Sequence, residues 1–295
     1  SSDVCSSDLQ DLMPFTPGNR DGAYEKGIKS WLDPACRATL FGLSEKREQV
    51  LQRILDINHS QDGPTVMPSH VATERATWGD IPSLEFYVDF ETVSDLNDDF
   101  SRMPEKGGQP LIFMIGCGHI HEGEWKFECF IAESMSEPAE REIIEEWLQH
   151  MMNLSEAKGV AEPTVYHWSH AERSFLDTAY NSAKARHRSE WPELNWFDFL
   201  VRVMREEPVV TRGATAFGLK AVAKAMHRAN LIETNWKEGP LDGLAAMVGA
   251  WWCAEQAEEK NFSLAEVPLM NEIRTYNEID CKVMMEIIAY LRSNH

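Results

Sequence analysis

An α/β fold, a mixed sheet flanked by helices with a small helical appendage on its N-terminal side, is predicted by three observations in the 295-residue chain. Three strand-like runs follow one another without a helix between them, at 84–93, 110–120 and 124–132. A helix over 138–152 then opens an alternation of helix, strand and helix. Long helical patterns at 216–229, 241–259 and 272–292 close the chain.

The opening SSDVCSSDL repeats one tripeptide and has no period, so residues 1–11 are expected to be disordered or foreign to the natural protein. Residues 12–58 read as a small helical region. Within it Ser44 is placed to N-cap a helix whose Val50, Leu51, Ile54 and Leu55 fall at helical spacing. Residues 59–83 are polar, carry Pro64, Pro68 and Pro82, and read as a linker. The main domain is therefore expected to span 84–295. In its first strand Phe86, Val88 and Phe90 alternate with Tyr87, Asp89 and Glu91, so the two acids share one face. Helix 138–152 lines up Ile143, Ile144, Trp147, Leu148 and Met151 for packing on a sheet. A short strand follows at 164–168, then a helix from about His170, and Thr215 is placed to cap the helix 216–229. The polar stretch Ser94–Pro110, with Asp95, Asp98, Asp99, Gly107 and Gly108, lies between two strands beside the acids; a functional loop and disorder are both open.

Composition narrows the function classes. No apolar run approaches the roughly 20 residues that cross a bilayer, so no membrane partner is expected. Six scattered cysteines, without paired spacing, read as thiols in a reducing, cytoplasmic setting. A net charge of −20 argues against a generic electrostatic grip on nucleic acid, unless divalent cations bridge substrate to acidic side chains and basic residues gather locally.

Two carboxylates side by side on one strand repel. Where the other strand face is buried, a cation between them is a natural solution, and hard oxygen ligands favour Mg²⁺ or Mn²⁺. A solvated edge strand is the alternative. In the last helix Tyr276, Asp280, Val283, Ile287 and Leu291 form one stripe, which aims Asp280 toward core; a buried carboxylate needs a cation or a basic partner. Fraying of the helix start into water is the alternative there. The helix after Thr215 presents Lys220, Lys224 and Arg228 at i, i+4 and i+8, a row suited to a phosphate backbone or to plain solvation. Lys184, Arg186, His187 and Arg188 form a second basic cluster with the same two readings, and Trp168, Trp251 and Trp252 read as core rather than base-stacking residues.

YVDFET in a first strand and YNEID in a C-terminal helix resemble the DnaQ-like, or DEDD, exonucleases of the ribonuclease H-like superfamily, in their tyrosine subclass. The closer likeness is to the YprB-type ribonuclease H-like domain of RecB-like nucleases, whose GLK-containing helix resembles Phe217-Gly218-Leu219-Lys220. The likeness runs from Leu84 to the end. It implies a ribonuclease H-like mixed sheet and 3′–5′ hydrolysis of DNA or RNA by a two-metal-ion mechanism using Mg²⁺ or Mn²⁺. It also implies a metal set of two acids on the first strand, one after the fourth and one on the last helix: Asp89, Glu91, Glu172 and Asp280, with Tyr276 as a further catalytic residue. Glu172 departs from the usual pattern, and Ser169-x-x-Glu172 is also a capping box. Asp198 and Asp177 are fallback acids. The likeness further implies an upstream RecB-like nuclease domain absent from this chain.

Two rival functions stand beside this one. Asp89-Phe90-Glu91-Thr92-Val93 approximates the start of haloacid-dehalogenase-like phosphohydrolases, which would alternate strands and helices directly after the motif. A ribonuclease H-like domain without turnover, binding nucleic acid for a larger nuclease, is the other.

Overall fold

In the computed structural model the described residues are 8–12, 17–60, 62–93, 111–169, 175–236, 243–260 and 262–295. The chain forms two compact units, each discontinuous in sequence: Ile81–Phe199 with Thr234–Glu286, and Ser1–Asp80 with Leu200–Glu233 and Ile287–His295. The single domain expected over 84–295 is thus divided.

The second unit, Ser1–Asp80 with its two later segments, is helical with one small ribbon. Its helices are α1 (Asp21–Glu25), α2 (Glu45–His59), α3 (Arg75–Trp78) and, from the later segment, a helix at Leu219–Arg228. α2 buries Leu51, Ile54, Leu55 and Ile57, as its spacing predicts. Ser44 occupies the N-cap position, yet its side chain makes no capping hydrogen bond. The segment expected to be a linker is built into this unit. β1 (Val66–Met67) pairs antiparallel with a short strand at Val210–Thr211. Val71 and Trp78 are fully buried, and the Arg292 guanidinium donates to the Trp78 carbonyl at 2.5 Å. Among residues 1–11, Leu9 is likewise buried, inside a 3₁₀ turn.

The other unit carries a five-stranded mixed sheet. Its strands are β2 (Glu85–Val93), β3 (Leu111–His121), β4 (Glu124–Ile131), β5 (Thr164–His167) and β6 (Asn195–Asp198), in the order β4-β3-β2-β5-β6. β2–β3 and β3–β4 are antiparallel; β2–β5 and β5–β6 are parallel. β6 is a strand that sequence pattern alone does not reveal, since four residues are too few to show a period. The short ribbon strand at Val210–Thr211 is β7.

Helix α4 (Glu137–Lys158) covers one face of this sheet. Ser136 caps it by accepting from the Ala139 N–H, and Gly159, at φ +66°, ends it in the left-handed conformation that glycine adopts without strain. Ile143, Ile144, Trp147, Leu148 and Met151 are buried, with Trp147 edge-on to Phe90 at 5.5 Å between ring centres. Helix α5 (Phe175–His187) follows β5. The helix at Leu219–Arg228 is α6; it begins after Gly218, and Thr215 lies outside it. Helices α7 (Gly243–Lys260) and α8 (Pro268–Asn294) complete the chain, α7 packing on β2. No helix among the described residues is long and apolar enough to cross a membrane.

Candidate active site

β2 is the central strand; its ladder with β5 ends at Tyr87, and Asp89 and Glu91 follow where the ladder with β3 continues. The register puts Tyr87 opposite Gly118, Asp89 opposite Gly116 and Glu91 opposite Met114, all on the sheet face opposite α4's partners Phe86, Val88 and Phe90. The pairing of β2 with β3 shifts register directly after the second acid, between Glu91 and Thr92, where Phe113 is the extra residue on β3. The acid-bearing face is itself covered: Tyr87 is buried, stacks on Tyr166 and donates its hydroxyl to the buried Glu85.

Two glycines in β3 create room on this face. A Cβ on Gly116 would lie 1.8 Å from Asn277 Oδ1, and one on Gly118 would lie 1.9 Å from the Trp125 ring. Glycine at 116 therefore lets α8 approach the sheet closely. Asn277 fills the space, is fully buried, and donates from Nδ2 to Asp89 Oδ2 at 3.1 Å and to the Asp89 carbonyl at 3.4 Å. Its Oδ1 is buried without a hydrogen-bond partner among the described residues.

Burial pushes the Asp89 carboxyl up to about 7, with the Phe90 N–H opposing. On α8 one residue beyond Asp280 lies the buried thiol of Cys281, driven well above the usual thiol range first by burial and then by the negative charges of Asp89 and Asp280. Asn277 ties α8 to Asp89, and Asp280 follows three residues later on the same helix. Asp280 is half-buried, and its Oδ1 accepts the Trp236 indole N–H at 2.7 Å. Glu91 is also half-buried; its charge, like those of Glu128 and Glu278, raises the Cys129 thiol, which burial takes to about 12 against the pull of Arg274. Tyr276 lies half-buried one turn before Asp280.

The stripe on α8 differs from the expected one in its first half. Tyr276 and Asp280 flank the innermost row, which is Ile273, Asn277, Cys281 and Met284; Val283, Ile287 and Leu291 are buried as expected. Asn277 and Trp236 are the site residues that pattern reading missed. The visible signals were a polar residue four positions from Ile273 and from Cys281, and the Gly116-x-Gly118 pair in a strand.

Glu172 lies outside the described residues, as do the loop 94–110 and the start of the helix proposed after Ser169. Because β5 runs parallel to β2, its carboxyl end at His167 opens on the same edge of the sheet as that of β2. The Ser169 hydroxyl donates to Asp198 Oδ2 at 2.6 Å, both residues buried. Asp198 thus holds the end of β5, and Asp177 accepts from the Thr178 N–H at the start of α5.

The basic residues are distributed differently. Lys220, Lys224 and Arg228 belong to the helical unit and the carboxylates to the other, and Arg228 donates to the Gly213 carbonyl at 3.1 Å. In the second cluster Arg186 and His187 bond the fully buried Glu140 at 2.7 Å each, and Lys184 pairs with Glu193. That cluster is chiefly structural. Trp168 is buried and Trp252 half-exposed.

Asp89 and Asp280 supply hard oxygen donors, and the desolvation of Asp89 is a cost that a divalent cation would relieve, which fits Mg²⁺ or Mn²⁺ in chemical type. Among the described residues no group of three or more His, Cys, Asp or Glu is arranged to hold a metal ion. Comparison with protein-family models, curated proteins and solved structures finds no match to this chain.

Proposed function

We propose that this chain is a metal-dependent nuclease that hydrolyses phosphodiester bonds of DNA or RNA, with the 3′–5′ polarity that its ribonuclease H-like resemblance implies. The observation that carries the reading is the hydrogen bond by which Asn277 ties α8, the helix that bears Asp280 three residues on, to Asp89 on the central strand. An acid of the central strand and an acid of α8, remote in sequence, are brought onto one side of the sheet by the close approach of α8 at Gly116. Support also comes from the sheet: β2 is followed by two antiparallel strands, which agrees with the three adjacent strands expected and departs from the strand–helix alternation of the phosphohydrolase rival.

Asp89, Glu91 and Asp280 would hold the cations, with Glu172 as the remaining ligand that the resemblance implies. Bound Mg²⁺ or Mn²⁺ would supply a more acidic water and charge stabilisation for the leaving 3′-oxygen. Asn277 keeps Asp89 in place from behind. Tyr276, a phenol of reference pKa about 10, serves better to orient water than to take its proton. Local cations also offset the −20 net charge that otherwise repels phosphate. The scattered cysteines fit a cytoplasmic protein.

The test is degradation of end-labelled single-stranded DNA and RNA with Mg²⁺, Mn²⁺ or chelator. Shortening should require metal and fall by more than ~100-fold in Asp89→Asn and in Asp280→Asn. Shortening that persists in chelator or in both variants overturns the proposal. Binding without shortening under every metal condition would instead favour the non-catalytic nucleic-acid-binding module.

A further inference from the structure

Residues 234–236 are held to α8 at two points. The Thr234 N–H donates to Glu286 Oε2 at 2.9 Å and its hydroxyl to Oε1 at 2.5 Å. Two residues on, the Trp236 indole N–H donates to Asp280 Oδ1 at 2.7 Å. An indole has one donor and no acceptor, so this contact serves only an ionised or otherwise accepting carboxylate oxygen. A metal-ligating carboxylate needs such a partner, because outer hydrogen bonds set which way its oxygens face and how well they bind.

We infer that Trp236 is a positioning residue for the carboxylate site, orienting Asp280 toward a divalent cation through its indole N–H. The inference rests on the metal-dependent reading and adds a residue to it that neither the sequence motif nor the resemblance contains. Trp236 does not touch substrate in this role; it acts through Asp280.

The decisive measurement is Mn²⁺ binding to the full chain, read as free Mn²⁺ by electron paramagnetic resonance, with wild type, Asp280→Asn, Trp236→Phe and Thr234→Val compared. Trp236→Phe keeps a ring and removes the donor, so the apparent Kd should rise about tenfold or more. Thr234→Val loosens the tether and keeps the donor; it should bind within about threefold of wild type by the same reasoning. A second readout needs no change at Trp236: in ¹⁵N-tryptophan-labelled wild-type protein its indole resonance should move saturably with Mg²⁺. A wild-type chain that binds no Mn²⁺ overturns both the metal reading and this inference. Binding lost in Asp280→Asn but unchanged in Trp236→Phe overturns the inference alone. So does Thr234→Val weakening Mn²⁺ as much as Trp236→Phe, or an indole resonance indifferent to Mg²⁺.

Discussion

Gly116, Asn277 and Asp89 form a chain of dependence in which each residue type is required by the next. Asp89 is a desolvated carboxyl on a central strand, so it needs a donor from above. Asn277 provides that donor only because Gly116 offers no side chain beneath it. Gly116→Ala forces Asn277 outward, since the new Cβ meets the amide at 1.8 Å. We expect a loss of about 1–3 kcal/mol in urea unfolding, as for overpacking of a tight core, together with reduced nuclease activity. An alanine variant of unchanged stability would show that α8 yields easily at this point. The dependence was only partly legible in the sequence. Asp89 and Glu91 stood out through alternation within one strand, and Asp280 through its place in a helix. Asn277 did not, because its partner lies on a strand far away in sequence and an asparagine carries no apolar signature.

Helices and long strands emerged from periodicity because each has an apolar face that repeats within its own length. Basic residues carry no such internal reference. Lys184, Arg186 and His187 sit on one helix, but their role is set by acids on other segments. Glu140 on α4 is fully buried and receives Arg186, His187 and the Ile112 backbone N–H of β3 at 2.7 Å each. This one carboxylate fastens α4, α5 and the start of β3. Removing a partner leaves a buried charge short of compensation, whereas an exposed pair loses little. Arg186→Ala should therefore cost about 3 kcal/mol, and Glu193→Ala, which breaks the exposed Lys184 pair, less than about 1 kcal/mol. Comparable unfolding midpoints for the two variants would refute the clamp. Residues 59–83 show no period for a related reason. Val66, Val71 and Trp78 are isolated apolar residues whose burial comes from segments late in the chain, so they make no local pattern.

Across the whole molecule, groups that fold against their preferred charge state set the response to pH. Burial lowers His119 to about 4, helped by His150, His121, Lys158 and Lys126, and burial also lowers His150 and His167. In the unfolded chain these imidazoles titrate near 6.5. For His119 the unfolded state therefore binds more protons between about 4 and 6.5, and acidification through that window removes stability at up to about 1.4 kcal/mol per pH unit; His150 and His167 act in the same direction. Asp89 acts in the opposite direction. Its folded value of about 7 exceeds the ordinary 3.8, so the folded state holds the extra proton and the contribution of Asp89 falls as pH rises through the same range. The two effects partly cancel in the wild-type chain. Asp89→Asn removes the carboxyl and leaves the histidines unopposed. In chelator, urea midpoints from pH 4 to 8 should then show a variant more stable than wild type at pH 7, by on the order of 2 kcal/mol, with a steeper loss toward pH 4. Identical pH profiles for the two proteins would mean that Asp89 is solvated and that the carboxylate site carries no stored electrostatic cost for a cation to relieve.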